Sequence, residues 1–597
     1  MAKSRGVLLP LILLVAAGAM ALESQEDATR ETRVIVQESG LTEFSDFERT
    51  DHGFPDGRDD RDICEGWPVN LLAPGAGFPY TPTLFDIDSD GADEIFLTGG
   101  NTFGLRGDGS FMPGWPVHEQ YYMGYGTNGN MPGPSIANVD MSGHAEVMWT
   151  LRDWYAGSSH IWTFNGKNFD GSDMPGFPQD APDESSNALG TPMLLADTSG
   201  DAKLEAWTAH TLGNTGTHYR ISVLDNLGNR IFTRDLNPNE DVQSLYYGDL
   251  EGDGSEEVFA ISWLSPSYIL YAFNGDGTDA PGYPVTLLTL SSGYLTLNPP
   301  IPADLDSDGD LEFLVGNWGG ASSLAFASHH NGSPVAGFPI SIATGSQLFY
   351  LGLGDLNGDG RPELLATDNE LSAAYRVHAL DMSDGIPLPG WPVSLPSWPK
   401  GFPCVVDVTN NGLKDVCIAT DGGKLYAINA AGEIIDDYPK SMIAGSISGV
   451  ATGDIDGDGL FELVASTWNG WVYAWNTPTL AQPWRTDWPM RGIDARYSGI
   501  YGSPGDGTAV GEEPWSTRSA LRVVRNPAGS EVDFIIDASA KVEYLEIFDT
   551  QGRLVETLQT WGQDRRSWAP EANLPAGVYF ARASGVSSAS VKFVLIH

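Results

Sequence analysis

A nine-residue acidic segment that recurs eight times constrains this chain more than any other feature. The copies are DIDSDGADE (86–94), NVDMSGHAE (138–146), DTSGDAKLE (197–205), DLEGDGSEE (249–257), DLDSDGDLE (304–312), DLNGDGRPE (355–363), DVTNNGLKD (407–415) and DIDGDGLFE (454–462). Their starts lie 47 to 59 residues apart. An apolar run rich in β-branched and aromatic residues follows each copy (EIFLTGG, EVMWTL and EVFAIS among them), too short for a helix. Most units then carry an aromatic–proline pair, as in GWPV at 114–117, GFPQ at 176–179, GYPV at 282–285, GFPI at 337–340 and GWPV at 390–393. Weaker copies are DYPK at 437–440 and DWPM at 487–490, and the third unit has LDNLGNRIF (224–232) in their place.

A unit of this length accommodates four short strands, one blade of a propeller. A single blade cannot bury both its faces; a closed ring of blades does, and closure protects the sheet edges. The chain is therefore predicted to be all-β, an eight-bladed β-propeller over residues 65–501, or a seven-bladed one if a copy is permuted or degenerate. The 71 Gly and 39 Pro fit the many turns this needs. An early GWPV at 66–69 predicts that an N-terminal strand closes the last blade.

The loops have the composition of oxygen cages. In the first, carboxylates occupy positions 1, 3, 5 and 9, and Gly occupies position 6. Alternate residues of a tight turn converge their oxygens, Gly permits the reversal, and the position 7 carbonyl and position 9 carboxylate complete the set. Flexible all-oxygen coordination suits Ca2+ better than Mg2+ or Zn2+. The predicted ligands are Asp86, Asp88, Asp90 and Glu94; Asp249, Glu251, Asp253 and Glu257; Asp304, Asp306, Asp308 and Glu312; Asp355, Asn357, Asp359 and Glu363; and Asp454, Asp456, Asp458 and Glu462. The other three copies are depleted: Ser142 stands at position 5, Ala202 replaces Gly, and Thr409 with Asn411 leaves two carboxylates. These are expected to bind weakly or to be held by hydrogen bonds alone. Hairpin formation by Asp/Gly turns explains one such copy far better than eight in register. The ion's expected role is a structural staple, not catalysis.

These loops resemble the FG-GAP and VCBS repeats of integrin α-chain propellers and their bacterial relatives, over roughly residues 65 to 500. The stretch WPMRGIDARYSGIY (488–501) also looks like the end of bacterial propellers of this kind. The resemblance implies that the acidic loops sit at blade hairpins and that positions 1, 3, 5 and 9 ligate calcium.

The flanks read differently. Lys3 and Arg5, the apolar run 7–17 and Ala19-Met20-Ala21 form a secretory signal peptide over 1–21, the apolar run being too short to span a membrane. Residues 22–64 are an acidic leader and 502–516 a Gly/Pro-rich linker. Residues 517–597 contain the strand-like runs VDFII, YLEIFD, GVYFARA and VKFVLI, a small immunoglobulin-like β-sandwich. Within it RNPAG (525–529), IFDTQGRLV (547–555), LPAGVYFAR (574–582) and the final VKFVLIH resemble the type A sorting domain of the type IX secretion system. That resemblance implies passage through type IX machinery to the outer surface or medium of a Gram-negative bacterium.

A formal net charge of −47 argues against nucleic acid or a bare anionic membrane as partner. No HExxH, GxSxG or P-loop is present. His329-His330, in SHHNGS, reads as a solvated turn, and Arg106-Gly107-Asp108 as a hairpin tip. Cys404 and Cys417 flank one acidic loop, so either a bridge or unpaired buried thiols would fit. The expected function is an exported calcium-binding module that binds an extracellular protein or glycan, as in adhesion, without chemistry of its own. The alternatives are a carbohydrate-active enzyme, such as a calcium-dependent polysaccharide lyase, and a structural surface component.

Overall fold

The computed structural model describes most of residues 62–501, with breaks in several loops, together with strands between 521 and 595 and short paired segments between 30 and 48. All named elements among the described residues are β-strands. Eight antiparallel sheets of mostly four strands follow one another along the chain, which settles the blade count at eight. Blade 1 consists of Thr83–Phe85, Glu94–Thr98, Asn101–Leu105 and Val117–His118. Blades 2 to 7 occupy 135–181, 194–235, 241–289, 294–344, 347–395 and 399–441.

Blade 8 is assembled from both ends of the ring. Its first three strands are Ser446–Gly453, Leu460–Thr467 and Trp471–Leu480, and its fourth is Val69–Asn70, paired to Trp471 and Val472. The early GWPV segment thus closes the circle as its position predicted.

First strands of successive blades touch one another and line the centre. The acidic segment joins first to second strand in every blade. It therefore shares one end of the ring with the hairpins joining third to fourth strand. The remaining connections lie at the other end. Apolar side chains fill the space between blades. Phe259 and Phe313 meet edge to face between blades 4 and 5, with centroids 5.8 Å apart, and Tyr473 stacks on Trp475 at 5.3 Å in the cluster between blades 7 and 8.

The aromatic–proline pairs also join blades. All seven of the pairs from Trp67-Pro68 to Tyr438-Pro439 are cis. The indole of Trp67, in the strand that completes blade 8, donates to Gly107 O of blade 1. Trp115 donates to Phe169 O of blade 2 at 3.0 Å, and Trp391 to Ala430 O of blade 7 at 3.0 Å. A buried N–H without such a partner would be costly, so these three indoles hold the next blade's hairpin in place.

Residues 485–501 fill the centre at the acidic-loop end. Thr486–Trp488 adds to the first strand of blade 7. Pro489 O then accepts from Thr452 N of blade 8, Ala495 O from Ile136 N of blade 2, Arg496 O from Leu195 N of blade 3 and Ser498 O from Tyr247 N of blade 4. Tyr501 bridges to Ala303 of blade 5, Asp487 accepts from Asp355 N of blade 6 at 2.8 Å, and Tyr497 bonds to Thr83 of blade 1. One segment thereby contacts the inner strand, or its end, in all eight blades.

In the tail, Leu521–Val523, Val532–Ile536 and Arg565–Trp568 form one antiparallel sheet, and 544–595 contributes a second of four strands. The runs VDFII, YLEIFD and GVYFARA and the first five residues of VKFVLI are strands within these two sheets. The signal-peptide and linker calls lie outside the described residues.

Ile500 is buried and lies over Gly248, close enough that a Cβ there would sit 2.4 Å from its Cδ1. Ile500→Ala is expected to destabilise the propeller by about 2–4 kcal/mol, read by denaturant unfolding. A change below about 0.5 kcal/mol would mean that the central segment is not a packed part of the ring.

Candidate metal centres

The same contact recurs at every acidic loop. The position 9 carboxylate lies at or near the start of the second strand and turns back to accept the backbone N–H of position 2. It is present as Ile87→Glu94, Val139→Glu146, Thr198→Glu205, Leu250→Glu257, Leu305→Glu312, Leu356→Glu363, Val408→Asp415 and Ile455→Glu462, at 2.7 to 3.3 Å. The position 1 carboxylate is cradled by amides of its own turn. Asp86 accepts from Asp90 N and Gly91 N, and Asp454 from Gly457 N and Gly459 N, at 2.9 to 3.0 Å. Position 6 needs the left-handed backbone that glycine adopts at no steric cost: Gly91 has φ 97, and Ala202 is held at φ 70 in blade 3.

Three loops converge their carboxylates. One oxygen each from Asp86, Asp88 and Asp90 lie within 4.8 Å of one another, as do those of Asp304, Asp306 and Asp308, and of Asp454, Asp456 and Glu462. Asp88 Oδ1 and Glu462 Oε1 are shielded from solvent with no hydrogen-bond donor upon them. Buried oxygens of this kind require a positive partner or a proton. These residues therefore fit a hard dication. The same convergence is not found among the described residues of the loops from Asp249 and Asp355. In the latter, Asn357 Nδ2 donates to Glu363 Oε1 at 2.5 Å.

Electrostatics point the same way. Burial, reinforced by neighbouring carboxylates, pushes Glu94 up to about 8 and Glu462 up to about 9 from an ordinary 4.5. Glu257 and Glu363 rise to about 7 for the same reasons. Asp93, which accepts from Asp454 N of the adjoining blade, is pushed by burial to about 8.

The depleted loops meet the requirement otherwise. In blade 3, Glu205 accepts three hydrogen bonds, from Thr198 N, Thr198 Oγ1 and Ser199 N. In blade 2, Ser142 lies within reach of Glu146. In blade 7 the guanidinium of Arg485, from the central segment, pairs with fully buried Asp407. Arg485 was not singled out from the sequence, since it lies 78 residues from its partner.

Other expectations fare differently. His329 and His330 are not in a solvated turn: both rings face the acidic loop of blade 5, about four-fifths buried. Arg106-Gly107-Asp108 does form a hairpin tip, with Gly109 N bonded to Arg106 O. Cys404 and Cys417 face each other across adjacent strands as free buried thiols, and Cys64 is also free and buried.

Fold and loops together define an eight-bladed β-propeller with acidic inter-strand loops. The FG-GAP-like repeat family matches residues 304–366, blade 5 and the start of blade 6. Solved structures similar to this chain include a Dos1 propeller (8% identity, TM-score 0.42, 70% of this chain and 96% of that one). Sqt1 of Saccharomyces cerevisiae is similar at 11% identity and TM-score 0.40, covering 67% and 100%. BamB of Moraxella catarrhalis is similar at 12% identity and TM-score 0.38, covering 67% and 99%. No curated protein matches the chain.

Two predictions follow from the charge balance. Arg485→Ala leaves Asp407 buried without its cation and is expected to cost about 3–5 kcal/mol in chemical unfolding; a neutral result would remove Arg485 as the internal counter-charge. The second concerns metal-free protein. Carboxyls raised on folding stabilise most below their unfolded value, and this is lost as pH rises through the folded values. With Glu94, Glu257, Glu363 and Glu462 raised from 4.5 to between about 7 and 9, chelated protein should melt progressively lower from pH 5 to pH 9. A melting temperature that rises over this window would contradict the assignment.

Proposed function

We propose that this chain is an exported calcium-binding propeller that acts outside the cell as a binding or adhesion module. The observation that carries the calcium reading is the convergence of carboxylates with shielded, donor-free oxygens at Asp88 and Glu462. Calcium supplies charge neutralisation there and locks the turn between first and second strands. The ligand set is the acidic positions 1, 3, 5 and 9, strongest in the loops from Asp86 and Asp454.

Export is supported by Lys3, Arg5 and the A-x-A at 19–21, and passage by type IX machinery by the resemblance of the tail. No helix among the described residues is long and apolar enough to cross a membrane.

A binding role is supported by how the two ends of the ring differ. Residues 485–501 occupy the centre at the acidic-loop end, which leaves the opposite end for a ligand. That end carries Trp468, 50% exposed, and Ile443, 52% exposed, on adjoining loops joined by Trp468 N→Gly445 O. Nearby, Lys400 Nζ stands 3.2 Å over the ring of Trp398. An exposed aromatic face such as that of Trp468 stacks on sugars or on apolar side chains. The ligand class is an extracellular glycan or protein.

Going from chelator to millimolar calcium at pH 7.5 is expected to raise the melting temperature by several degrees, since binding to the folded form alone stabilises it. Asp456→Asn with Asp458→Asn should remove part of that gain. No rise on adding calcium would reject the calcium reading. Binding is tested on glycan arrays and cells, where Trp468→Ala is expected to reduce retention; uniform silence of the wild-type protein would reject the binding role.

A further inference from the structure

The geometry points to a second kind of metal centre in blade 5: a mixed imidazole–carboxylate site that takes a zinc-class transition-metal dication. It extends the reading of these loops as cation sites but assigns this one a different ion.

At one position blade 5 differs from blades 2, 6 and 8. The residue opposite the position 9 carboxylate is Asn168 in blade 2, Asp381 in blade 6 and Asn476 in blade 8, but His329 in blade 5. In blades 2 and 6 that side chain serves its own hairpin: Asn168 Nδ2 donates to Ser172 Oγ, and Asp381 Oδ1 accepts from Ser383 N. In blade 5 the hairpin keeps only its next contact, Ser333 N to Asn331 Oδ1 at 2.9 Å, the counterpart of Ser172 N to Asp170 Oδ1 in blade 2. The hairpin therefore does not account for His329, whose ring turns into the acidic loop.

There its Nδ1 lies 2.8 Å from Glu312 Oε1 and 3.8 Å from Asp310 Oδ1. Glu312 is fully buried. Ligand atoms of Asp306, Glu312 and His329 lie within 4.8 Å of one another, and so do those of Asp308, Asp310 and His329. Asp310 Oδ1 is shielded from solvent and receives no hydrogen bond. Its other oxygen is held by His330 Nε2 at 3.2 Å, and His330 Nδ1 is held in turn by Tyr283 Oη of blade 4 at 2.9 Å. His330 is thus a positioning residue, fixing Asp310 as outer partners fix the ligands of a metal.

Calcium takes oxygen donors. Imidazole nitrogen combined with carboxylates suits zinc and its neighbours. Deprotonated His329 Nδ1, Glu312 and carboxylates among Asp306, Asp308 and Asp310 form such a donor set.

The test uses the full mature chain saturated with calcium, with Co2+ as the probe. One equivalent of Co2+ is expected to remain after desalting in excess calcium, and X-ray absorption at the cobalt edge should carry the scattering signature of an imidazole ring. His329→Gln should weaken that uptake by about tenfold or more, whereas Asp456→Asn in blade 8 should leave it unchanged. Absence of uptake, or uptake without an imidazole signature, would overturn the inference and leave His329 as a plain hydrogen-bond partner of Glu312. Should His329→Gln fail to fold, the imidazole signature in wild-type protein decides alone. Cobalt uptake without any calcium uptake would instead sink the calcium reading and leave this centre standing.

Discussion

The hydrogen bond from the position 2 amide to the position 9 carboxylate is the contact on which the rest of the ring depends. It ties the end of each first strand to the start of each second strand, and it recurs in all eight blades. Making it puts a carboxylate at the root of every blade, buried in all but blade 4, where Glu257 is half-buried. Seven of the eight are Glu and one is Asp415. Burying a carboxylate is unfavourable unless it is compensated, so a contact that builds the fold also creates an electrostatic demand in every blade.

The blades meet that demand in different ways. Blade 3 uses three hydrogen bonds on Glu205. Blade 7 brings the guanidinium of Arg485 to the same loop, against the position 1 carboxylate of Asp407. Blade 5 brings imidazoles to its carboxylates. Blades 1 and 8 converge several carboxylates with shielded oxygens that have no donor, and there a dication is the natural complement. Where Thr409 and Asn411 replace acidic residues, a basic side chain has entered.

Much of the fold was legible because period and turn chemistry agree. Eight acidic segments gave eight blades, and the isolated GWPV at 66–69 gave the closing strand. The aromatic–proline pairs recur with the same period, and the indoles of Trp67, Trp115 and Trp391 bond across blades. The hidden parts are those set by distant partners. Arg485 meets Asp407 from 78 residues away, and the course of 485–501 through the centre follows from inner strands spread over the whole ring. His329 reads as a turn residue by its neighbours Asn331 and Gly332. Only its register opposite Glu312 reveals that it replaces the usual Asx and faces inward. The cross-strand pairing of Cys404 and Cys417 was visible in sequence, but their thiol state was not.

The central claim is that folded acidic loops hold their carboxylates ready for a dication in place of a proton. Native mass spectrometry of the purified protein, exchanged into micromolar calcium, tests it most directly when paired with measurement of protons released on binding. The account predicts several calcium ions per chain, with proton release at neutral pH because carboxyls such as Glu94 and Glu462 are raised to about 8 and 9. A folded chain that carries no calcium, or that binds it without releasing protons, would contradict it.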